Sequence, residues 1–496
     1  MPLNPRTPVL VGIAAIDQRC EDPTDSREAF ELMLAALEAA ADDAGSRRLL
    51  GEASSIRVPR GFWQYSDPGR LVAERIGAGR ARTLLAEIGI LQQTLLSDAC
   101  RAIAAGEEEV ALVTGGEARY RDLRGRITGV EVSETSQDGV APDAKLEPHE
   151  PLFDDLEVER GLMLPVRAFA LMDSALRFHD GLSIEAHRDE IARLLADFSA
   201  IAAGNPHAWY RTPFSFEEIR TISPKNRMLA FPYARRHGSD WNVDQAAGLI
   251  LCSVEKARAH GVPRERWVFP ISASESNHVV PLSAREQLYR CPGAAIAGAR
   301  ALELAGKTVD EIAHYDLYSC FPAPVRVFAR ELGLGGEKPL TVTGGMASAG
   351  GPLNNYVLQA TVRMAEVLRE DPGSAGLVTA ISGFMNKVGF GIWSSEPPSR
   401  GFRFEDSTAE VAARSRSLAL VGDYRGPARV VSYTVVYLGN KPLEGIAVCD
   451  LPDGNRTIAK TDDADLALAM TTEEFCGRSV TVAPGGALLL ADGERE

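Results

Sequence analysis

The sequence predicts an α/β protein of two similar halves, followed by a small all-β domain at its carboxyl-terminal end. Three observations support this prediction. Apolar strand-like runs alternate with amphipathic helical patterns, which is typical of sheets covered by helices. The same order of strands and helices returns after residue 292, which suggests an internal duplication. Short alternating strands, separated by Gly, Asp and Pro turns, occupy residues 428–490 and favour a barrel-like domain.

The first half is predicted over residues 1–120. Residues 8–16, PVLVGIAAI, have the composition of a buried strand, and apolar residues spaced i, i+3, i+4, i+7 over 30–37 predict a helix. The segment GILQQTLLSDACRAIAAGEEEVALVTGGEA then predicts a loop near Gly89, a helix, and a strand over 110–114. This half therefore contains repeated strand–helix units.

The rest of the chain divides by composition. Residues 121–240 are rich in Arg, Asp, Glu and Pro and predict a mostly helical insertion, after which 241–265 complete the first half. Residues 266–395 predict the second half, and the Pro- and charge-rich stretch 396–427 predicts a linker to the domain at 428–490. We expect the loops of the two halves to converge on one site, because α/β sheets bind ligands at the carboxyl ends of strands.

Composition excludes several classes of function. The 496 residues carry a net charge of −15, which disfavours nonspecific binding to nucleic acid. The seven cysteines are dispersed without CxxC pairs, which is typical of reduced thiols and predicts neither a disulfide framework nor a metal site. No apolar run has the length of a membrane span, and the N-terminus lacks the pattern of a secretory signal. These features predict a cytoplasmic protein.

A glycine-rich loop stands out in the stretch PLTVTGGMASAGGPLNN. It follows the strand-like run Leu340–Thr343, precedes a long amphipathic helix, and contains no His, Cys, Asp or Glu. Glycines in such a loop can let a ligand lie against backbone N–H groups, and a tight structural turn would need them too. The loop also lacks the GxxxxGK[ST] pattern of a nucleotide phosphate loop. The glycines are Gly344, Gly345, Gly350 and Gly351.

Six segments stand in a particular order along residues 5–395: AAGEEEVALVTGGEA, AAGNPHAWYRTPFSFEEI, DQAAGLILCSVEKARAHG, YSCF, GGMASAGGPLNN and AISGFMNKVG. They resemble motifs of the thiolase superfamily, in particular sterol-carrier-protein-type thiolases and thiolase-like proteins with an additional C-terminal domain. YSCF lies where that family has HDCF or NEAF, and GGMASAGGPLNN lies at its GHPxG motif. The resemblance implies a thiolase-like five-layered αβαβα fold of two duplicated halves.

The same resemblance shows that the family's catalytic residues are missing. The nucleophilic Cys of the family falls at Gly89, the His of its GHP motif at Gly351, and the Cys of its CxG motif at Ile381. Thiolysis needs a thiolate to carry the acyl group and a base to activate it. We therefore predict an acyltransferase-superfamily member with a degenerate active site, without ordinary thiolase activity.

Candidate site residues follow from the resemblance. Tyr318 could act as an acid or bind a carbonyl oxygen, or it could pack at a strand end. Cys320 could be a relocated nucleophile or a small apolar side chain. The candidate catalytic residues are Tyr318, Ser319 and Cys320. The candidate substrate-binding residues are Gly89, Gly344, Gly345, Gly350, Gly351, Asn354, Ser382, Gly383 and Lys387.

Three functions remain open at this stage. The protein could be an atypical acyltransferase resembling acetyl-CoA acetyltransferases, an aldolase-like lyase of CoA esters that uses Tyr318, or a non-catalytic protein that binds CoA or lipid-CoA. All three imply a coenzyme A thioester as substrate or ligand and no permanently bound cofactor. Thiolase relatives commonly dimerise, so we expect a homodimer, or a monomer if the added domain covers the dimer surface.

Overall fold

The computed structural model describes residues 3–336 and 338–491. The chain begins with alternating strands and helices of the first half. Glycines in the left-handed conformation end two of its helices, at Gly77 and Gly106, as the sequence pattern indicates. The elements of this part are β1 Pro8–Gln18, α1 Ala29–Asp43, α2 Arg48–Gly51, β2 Ser55–Pro59, α3 Pro68–Ile76, β3 Arg82–Ala86, α4 Gln92–Ala105 and β4 Val110–Ala118.

The insertion that follows is mostly helical, and it also contributes three short strands. Ser183 and Ser215 cap two of its helices by accepting backbone N–H hydrogen bonds. Its elements are α5 Arg119–Thr128, β5 Ala144–Leu146, α6 Asp155–Glu159, α7 Pro165–His179, α8 Ile184–Ala203, α9 Phe216–Arg220, β6 Met228–Ala230 and β7 Tyr233–Ala234.

The chain then completes the first half and builds the second. Proline occupies the first turn of two helices of the second half, where a missing N–H costs nothing. The elements are β8 Asp244–Ser253, α10 Val254–Ala259, β9 Phe269–Ser276, α11 Pro292–Ala305, β10 His314–Asp316, α12 Pro322–Leu332, α13 Tyr356–Glu370, β11 Ala375–Ser382 and β12 Lys387–Ser394.

The C-terminal part is dominated by strands. Its elements are β13 Arg403–Asp406, α14 Thr408–Arg414, β14 Gly426–Leu438, β15 Lys441–Asp450, β16 Arg456–Thr461, α15 Ala464–Thr472, β17 Ser479–Ala483 and β18 Ala487–Leu490. No helix in the described part of the chain combines the length and the apolar composition of a membrane span.

The two halves share one sheet topology. The strand order is β1-β8-β4-β2-β3-β5 in the first sheet and β10-β11-β12-β9-β13 in the second. The first strand of each half, β1 or β9, pairs antiparallel with β8 or β12. The next two strands, β4 and β2 in the first sheet and β11 and β10 in the second, run parallel to each other. Helix α1 packs on one face of the first sheet and α11 on the second, while α4 and α13 lie between the sheets. This arrangement confirms the predicted αβαβα fold.

The C-terminal strands close into a barrel. β14 pairs with both β15 and β17, and the ring continues through β16 and β18, which meet at one parallel pair. The hairpin of β6 and β7 extends from β14, so the insertion and the barrel share hydrogen-bonded strands. Helix α7 packs on β14 and on α12 and joins the barrel to the second half. The structure thus contains the C-terminal β domain of the predicted fold class.

Two segments differ from the sequence-based description. Residues 396–427, predicted as a linker, contain β13, which pairs with β9 in the second sheet, and α14, which packs on α11. The run Leu340–Thr343, predicted as a strand, has no regular strand pairing, although the Leu317 N–H donates to the Leu340 carbonyl at 3.0 Å. In both cases the residues that pair with or pack against the segment are distant in the sequence, so a local pattern does not reveal them.

Candidate functional site

The four loops named from the sequence lie between strands and helices of the two halves. Gly89 lies between β3 and α4, and the glycine-rich loop precedes α13 at the equivalent position in the second half. The Tyr318–Cys320 segment follows β10, and Ile381–Gly383 follows the parallel neighbour β11. Because neighbouring parallel strands end at the same edge, the segments after β10 and β11 lie together. Hydrogen bonds from Lys387 to Gly89 and from Gln92 to Asn354 connect the turn after β11 and the glycine-rich loop to the start of α4.

Gly89, which the resemblance aligns with the family nucleophile, is contacted by a buried lysine. The Lys387 Nζ donates a hydrogen bond to the Gly89 carbonyl oxygen at 2.9 Å. Gly89 has a φ of +108°, and a Cβ there would lie 3.0 Å from the Pro148 ring. The structure therefore places a buried ammonium group against the backbone carbonyl of Gly89.

Lys387 is 4% exposed and makes that one hydrogen bond among the residues that the structure describes. Burial lowers the pKa of its ammonium, while the charges of Glu150 and Glu275 oppose this decrease. An ammonium has three N–H donors, so two remain available to another acceptor. Lys387, predicted as a substrate-binding residue, thus has unused hydrogen-bonding capacity at the site.

Glu275 is a second buried ionisable group here, and the sequence did not reveal it. It lies on β9, opposite Gly389 of β12, and is 5% exposed. The Thr94 hydroxyl of α4 donates to its Oε2 at 2.9 Å, and burial raises the pKa of Glu275 to about 7. A pKa in this range suits a group that exchanges a proton at neutral pH.

Two glutamines at the start of α4 add polar groups to the same region. Gln92 donates from Nε2 to Asn354 Oδ1 at 2.5 Å, which joins α4 to the end of the glycine-rich loop. Gln92 Oε1 and Asn354 Nδ2 are buried and have no partner within the described residues, and neither has Gln93 Oε1. The sequence held a signal for this feature, since two adjacent glutamines begin an otherwise apolar helix.

Tyr318 is 7% exposed, and its ring packs edge-on against Tyr356 at 5.6 Å. Its backbone N–H donates to the Thr379 hydroxyl at 2.8 Å, which ties the segment after β10 to β11. Burial raises the pKa of the Tyr318 phenol, so the hydroxyl stays protonated at neutral pH and can serve as a donor. The Tyr318 hydroxyl forms no hydrogen bond within the described part of the protein.

Ser319 and Cys320 hold neighbouring loops in place. The Ser319 hydroxyl accepts a hydrogen bond from the Met346 N–H at 3.1 Å. The Cys320 carbonyl accepts one from the Ser239 N–H at 2.9 Å, and burial raises the pKa of the Cys320 thiol. A thiol with a raised pKa is a poor nucleophile, because the thiolate is the reactive form.

The glycine-rich loop lies directly against the protein's own chain. A Cβ on Gly344 would collide with the Ala202 backbone of α8, one on Gly345 would lie 2.5 Å from Phe198, and one on Gly350 would collide with Gln245. Gly351 is equally close-packed, since its Cβ would lie 2.8 Å from the Cβ of Ser239. The glycines therefore permit close packing of the insertion, and their contact with a ligand stays a prediction.

The carboxylate of Asp316 binds the residues at the start of this loop through several hydrogen bonds. Its carboxylate accepts hydrogen bonds from the N–H groups of Val342 and Thr343 at 3.1 and 3.0 Å and from the hydroxyls of Thr341, Thr343 and Tyr356. Burial nevertheless raises its pKa, which shows that desolvation outweighs these bonds. Asp316 is a structural group that fixes the glycines in place.

The turn between β11 and β12 positions Lys387. Ser382 pairs with Lys387 across the hairpin, Gly383 has a φ of +63°, and Asn386 Oδ1 accepts from the Phe384 N–H at 2.7 Å. Such a turn favours glycine at the position of positive φ. Of the residues predicted from the sequence, the structure thus brings Gly89, Asn354 and Lys387 together around α4, whereas Tyr318–Cys320 lie beside the glycine-rich loop.

Within the described residues, no group of three His, Cys, Asp or Glu side chains is arranged to bind a metal ion. The polar groups at the site are instead a lysine, a glutamate, amides and a phenol, which suit hydrogen bonding to an organic ligand.

Comparison with known proteins identifies relatives of both parts of the chain. The sequence profile of the thiolase-like protein type 1 additional C-terminal domain matches residues 409–487. The crystal structure of a monomeric SCP2-thiolase like protein type 1 from Mycobacterium smegmatis is 30% identical, with a TM-score of 0.83, and the match covers 99% of this chain and 100% of that one. A search of curated protein sequences found no significant match.

More distant structures share the fold of the two halves. Human mitochondrial 3-ketoacyl-CoA thiolase has 18% identity and a TM-score of 0.56 over 79% of this chain and 99% of its own. The Ltp2-ChsH2(DUF35) aldolase has 18% identity and a TM-score of 0.60 over 79% of this chain and 99% of its own. At this level of identity, both similarities concern the fold alone.

Proposed function

The chain belongs to the SCP2-thiolase like protein type 1 family, and from this premise we propose that its cleft binds a CoA thioester without forming a covalent acyl-enzyme. One observation carries the proposal. Lys387 donates to the carbonyl of Gly89, so a buried ammonium contacts the residue that the resemblance aligns with the family's nucleophile. The thiolases that share the fold act on CoA esters, which suggests the class of ligand.

Covalent catalysis lacks a suitable thiol. Cys320 is part of the site, but burial raises the pKa of its thiol. Cys100 lies on the buried face of α4, where burial likewise raises its pKa. A neutral thiol attacks a thioester slowly, and we find no basic group hydrogen-bonded to either sulfur within the described residues. A non-covalent site therefore agrees better with these environments.

Lys387 can donate hydrogen bonds to the carbonyl oxygen of a thioester. Its two unused N–H donors are held by a buried side chain, and the N-terminus of α4 adds partial positive charge nearby. Fixed donors in a water-poor site stabilise negative charge on a carbonyl oxygen more strongly than water does. Gln92 and Asn354, with free amide groups, could bind polar atoms of the same ligand.

A second candidate is an aldolase-like cleavage of a carbon–carbon bond in a CoA ester, favoured by the Tyr318 hydroxyl. In a retro-aldol step the β-hydroxyl proton passes to a base and the bond between the α and β carbons breaks, which releases an aldehyde or ketone and leaves the thioester enolate. The negative charge lies on the thioester oxygen until the α carbon takes up a proton. The Tyr318 hydroxyl is a protonated donor without a partner among the described residues, and Glu275, with a pKa raised to about 7, is a candidate base. Carbon–carbon cleavage of this kind needs no nucleophilic cysteine.

The test is calorimetric titration with acetyl-CoA, followed by mass spectrometry of the intact protein. We expect the wild type to bind acetyl-CoA and to gain no acetyl mass. Lys387→Met should weaken binding by about tenfold, which corresponds to about 1.4 kcal/mol. Lys441→Met removes an exposed lysine of the barrel and is the matched control. Tyr318→Phe should retain affinity and lower any retro-aldol turnover of a β-hydroxyacyl-CoA.

Each result is informative. Absence of acetyl-CoA binding by the wild type would overturn the proposed ligand class. An acetyl adduct that Cys320→Ser removes would show that the site is covalent after all. If Lys387→Met and Lys441→Met bind equally well, then Lys387 does not contact the thioester. Turnover unaffected by Tyr318→Phe would dismiss the second candidate.

A further inference from the structure

A cavity of about 90 Å³ lies beside the N-terminus of α11 and the β11–β12 turn. Its wall includes Cys291 and Gly293 at the start of α11, Met385 and Asn386 of the turn, and the end of α14. None of the residues predicted from the sequence as site residues lines it. The cavity is therefore distinct from the candidate thioester site.

Arg285 forms part of the wall and is 7% exposed. Its Nη2 donates to the Phe384 carbonyl at 2.6 Å, and its Nε donates to the Val280 carbonyl at 3.4 Å. Its Nη1 is buried and has no partner in the described part of the chain, and no carboxylate there forms an ion pair with it. A buried guanidinium without a counter-charge is costly, so an anion from outside would stabilise it.

The carboxylates around the cavity are already engaged. At the exposed rim, Arg290 pairs with Glu331 at 2.7 Å and Arg416 pairs with Glu286 at 3.0 Å. These ion pairs neutralise the two arginines at the rim, whereas Arg285 in the cavity wall keeps its positive charge.

Glu157 is close enough to act electrostatically on Arg285, but its Oε1 accepts hydrogen bonds from the Ser283 N–H at 2.8 Å and the Ser283 hydroxyl at 2.7 Å. It therefore does not supply the hydrogen-bonded counter-charge that Arg285 lacks.

The N-terminus of α11 adds to this charge. The helix has 14 residues, and its N-cap, Cys291, provides no side-chain hydrogen bond. Pro292 has no N–H, and the Gly293 N–H makes no backbone hydrogen bond within the described residues. One N–H group without a backbone acceptor, together with the helix dipole, favours an anion at such a position.

We propose that this cavity binds a phosphate-class anion, either inorganic phosphate or the terminal phosphate of a phosphate monoester. The anion would pair with Arg285 and lie at the N-terminus of α11. With a volume of about 90 Å³, the cavity has room for several water molecules and hence for a small oxyanion. The proposal does not depend on the proposed function.

The test is calorimetric titration of the full chain with sodium phosphate, at ionic strength matched with sodium chloride. We expect the wild type to bind phosphate and Arg285→Gln to bind it at least about tenfold more weakly. Arg258→Gln removes an exposed arginine of α10 and is the charge-matched control. Ser415→Glu places a carboxylate in the lining without touching the core, so it should compete with phosphate even if Arg285→Gln does not fold.

The outcomes separate the alternatives. A wild type that binds no phosphate at millimolar concentration overturns the proposal, and so does a folded Arg285→Gln or Ser415→Glu that binds as the wild type does. A parallel titration with CoA and with CoA lacking its 3′-phosphate identifies the source. If Arg285→Gln weakens only CoA that carries this phosphate, the monoester is the ligand; if it weakens only inorganic phosphate, free phosphate is.

Discussion

Gly89 and Gly344 occupy equivalent places in the two halves, each before the central helix of its half, yet they are glycines for different reasons. At Gly344 a Cβ would collide with the backbone of Ala202 in α8, which cannot move without moving the helix. At Gly89 a Cβ would meet only the edge of the Pro148 ring at 3.0 Å, while the carbonyl accepts from Lys387.

The difference indicates that the two equivalent loops have different roles. In the second half, the loop is filled by the insertion and serves packing. In the first half, the loop adjoins two buried ionisable groups, Lys387 and Glu275, whose burial costs stability. Proteins retain such groups where they bind ligands or transfer protons, so the first loop is the better candidate for chemistry.

The largest expected effect contrasts the two glycines directly. Gly344→Ala should lower the free energy of unfolding by about 3–5 kcal/mol, because it combines positive φ with a clash against the backbone. Gly89→Ala, with positive φ and a movable neighbour, should lower it by about 1–2 kcal/mol. Urea denaturation of both variants measures the two values. Equal losses would show that the first loop is packed as rigidly as the second.

A second prediction concerns Glu275 and pH. Burial raises its pKa from 4.5 to about 7, so the folded protein binds more protons than the unfolded chain between these values, and stability decreases as the pH rises through this window. Glu275→Gln has no such dependence. Its stability relative to the wild type should therefore increase by about 3 kcal/mol from below pH 4.5 to above pH 7.

Thermal and urea unfolding at several pH values check this prediction, with Glu74→Gln, which removes an exposed carboxylate of α3, as control. A stability difference for Glu275→Gln that stays constant with pH would mean that Glu275 has the same pKa in the folded and the unfolded protein, and the contrast between the two loops would lose one of its perturbed groups.

The smallest effect is expected for Lys387→Met. Replacing a buried ammonium that has one hydrogen bond by an apolar side chain of similar length should raise the free energy of unfolding at pH 7 by about 1 kcal/mol, although it weakens thioester binding. Denaturant unfolding measures the change. A loss of stability larger than about 1 kcal/mol would instead identify Lys387 as a structural support of the Gly89 loop.

The sequence allowed much of the fold to be predicted and only part of the site. The duplicated order of strands and helices, the helical insertion and the C-terminal strands are local patterns, and the structure confirms the fold class that they indicate. Gly89, Asn354 and Lys387 could be named from motif positions. Glu275 could not be found, because its pKa depends on burial between β9 and α4, and the partner Thr94 is 181 residues away.

What the sequence by itself determined is the family and the layered fold, since these follow from residue identity and order, and it predicts that the cysteine and histidine of a thiolase are missing. Only the tertiary structure decided which groups surround the predicted site. Packing sets the distance from Lys387 to Gly89, fills the space at Gly344 with α8, and leaves Arg285 Nη1 without a hydrogen-bond partner among the described residues beside α11. Desolvation and contact depend on neighbours from every part of the chain, and these neighbours exist only once the chain has folded.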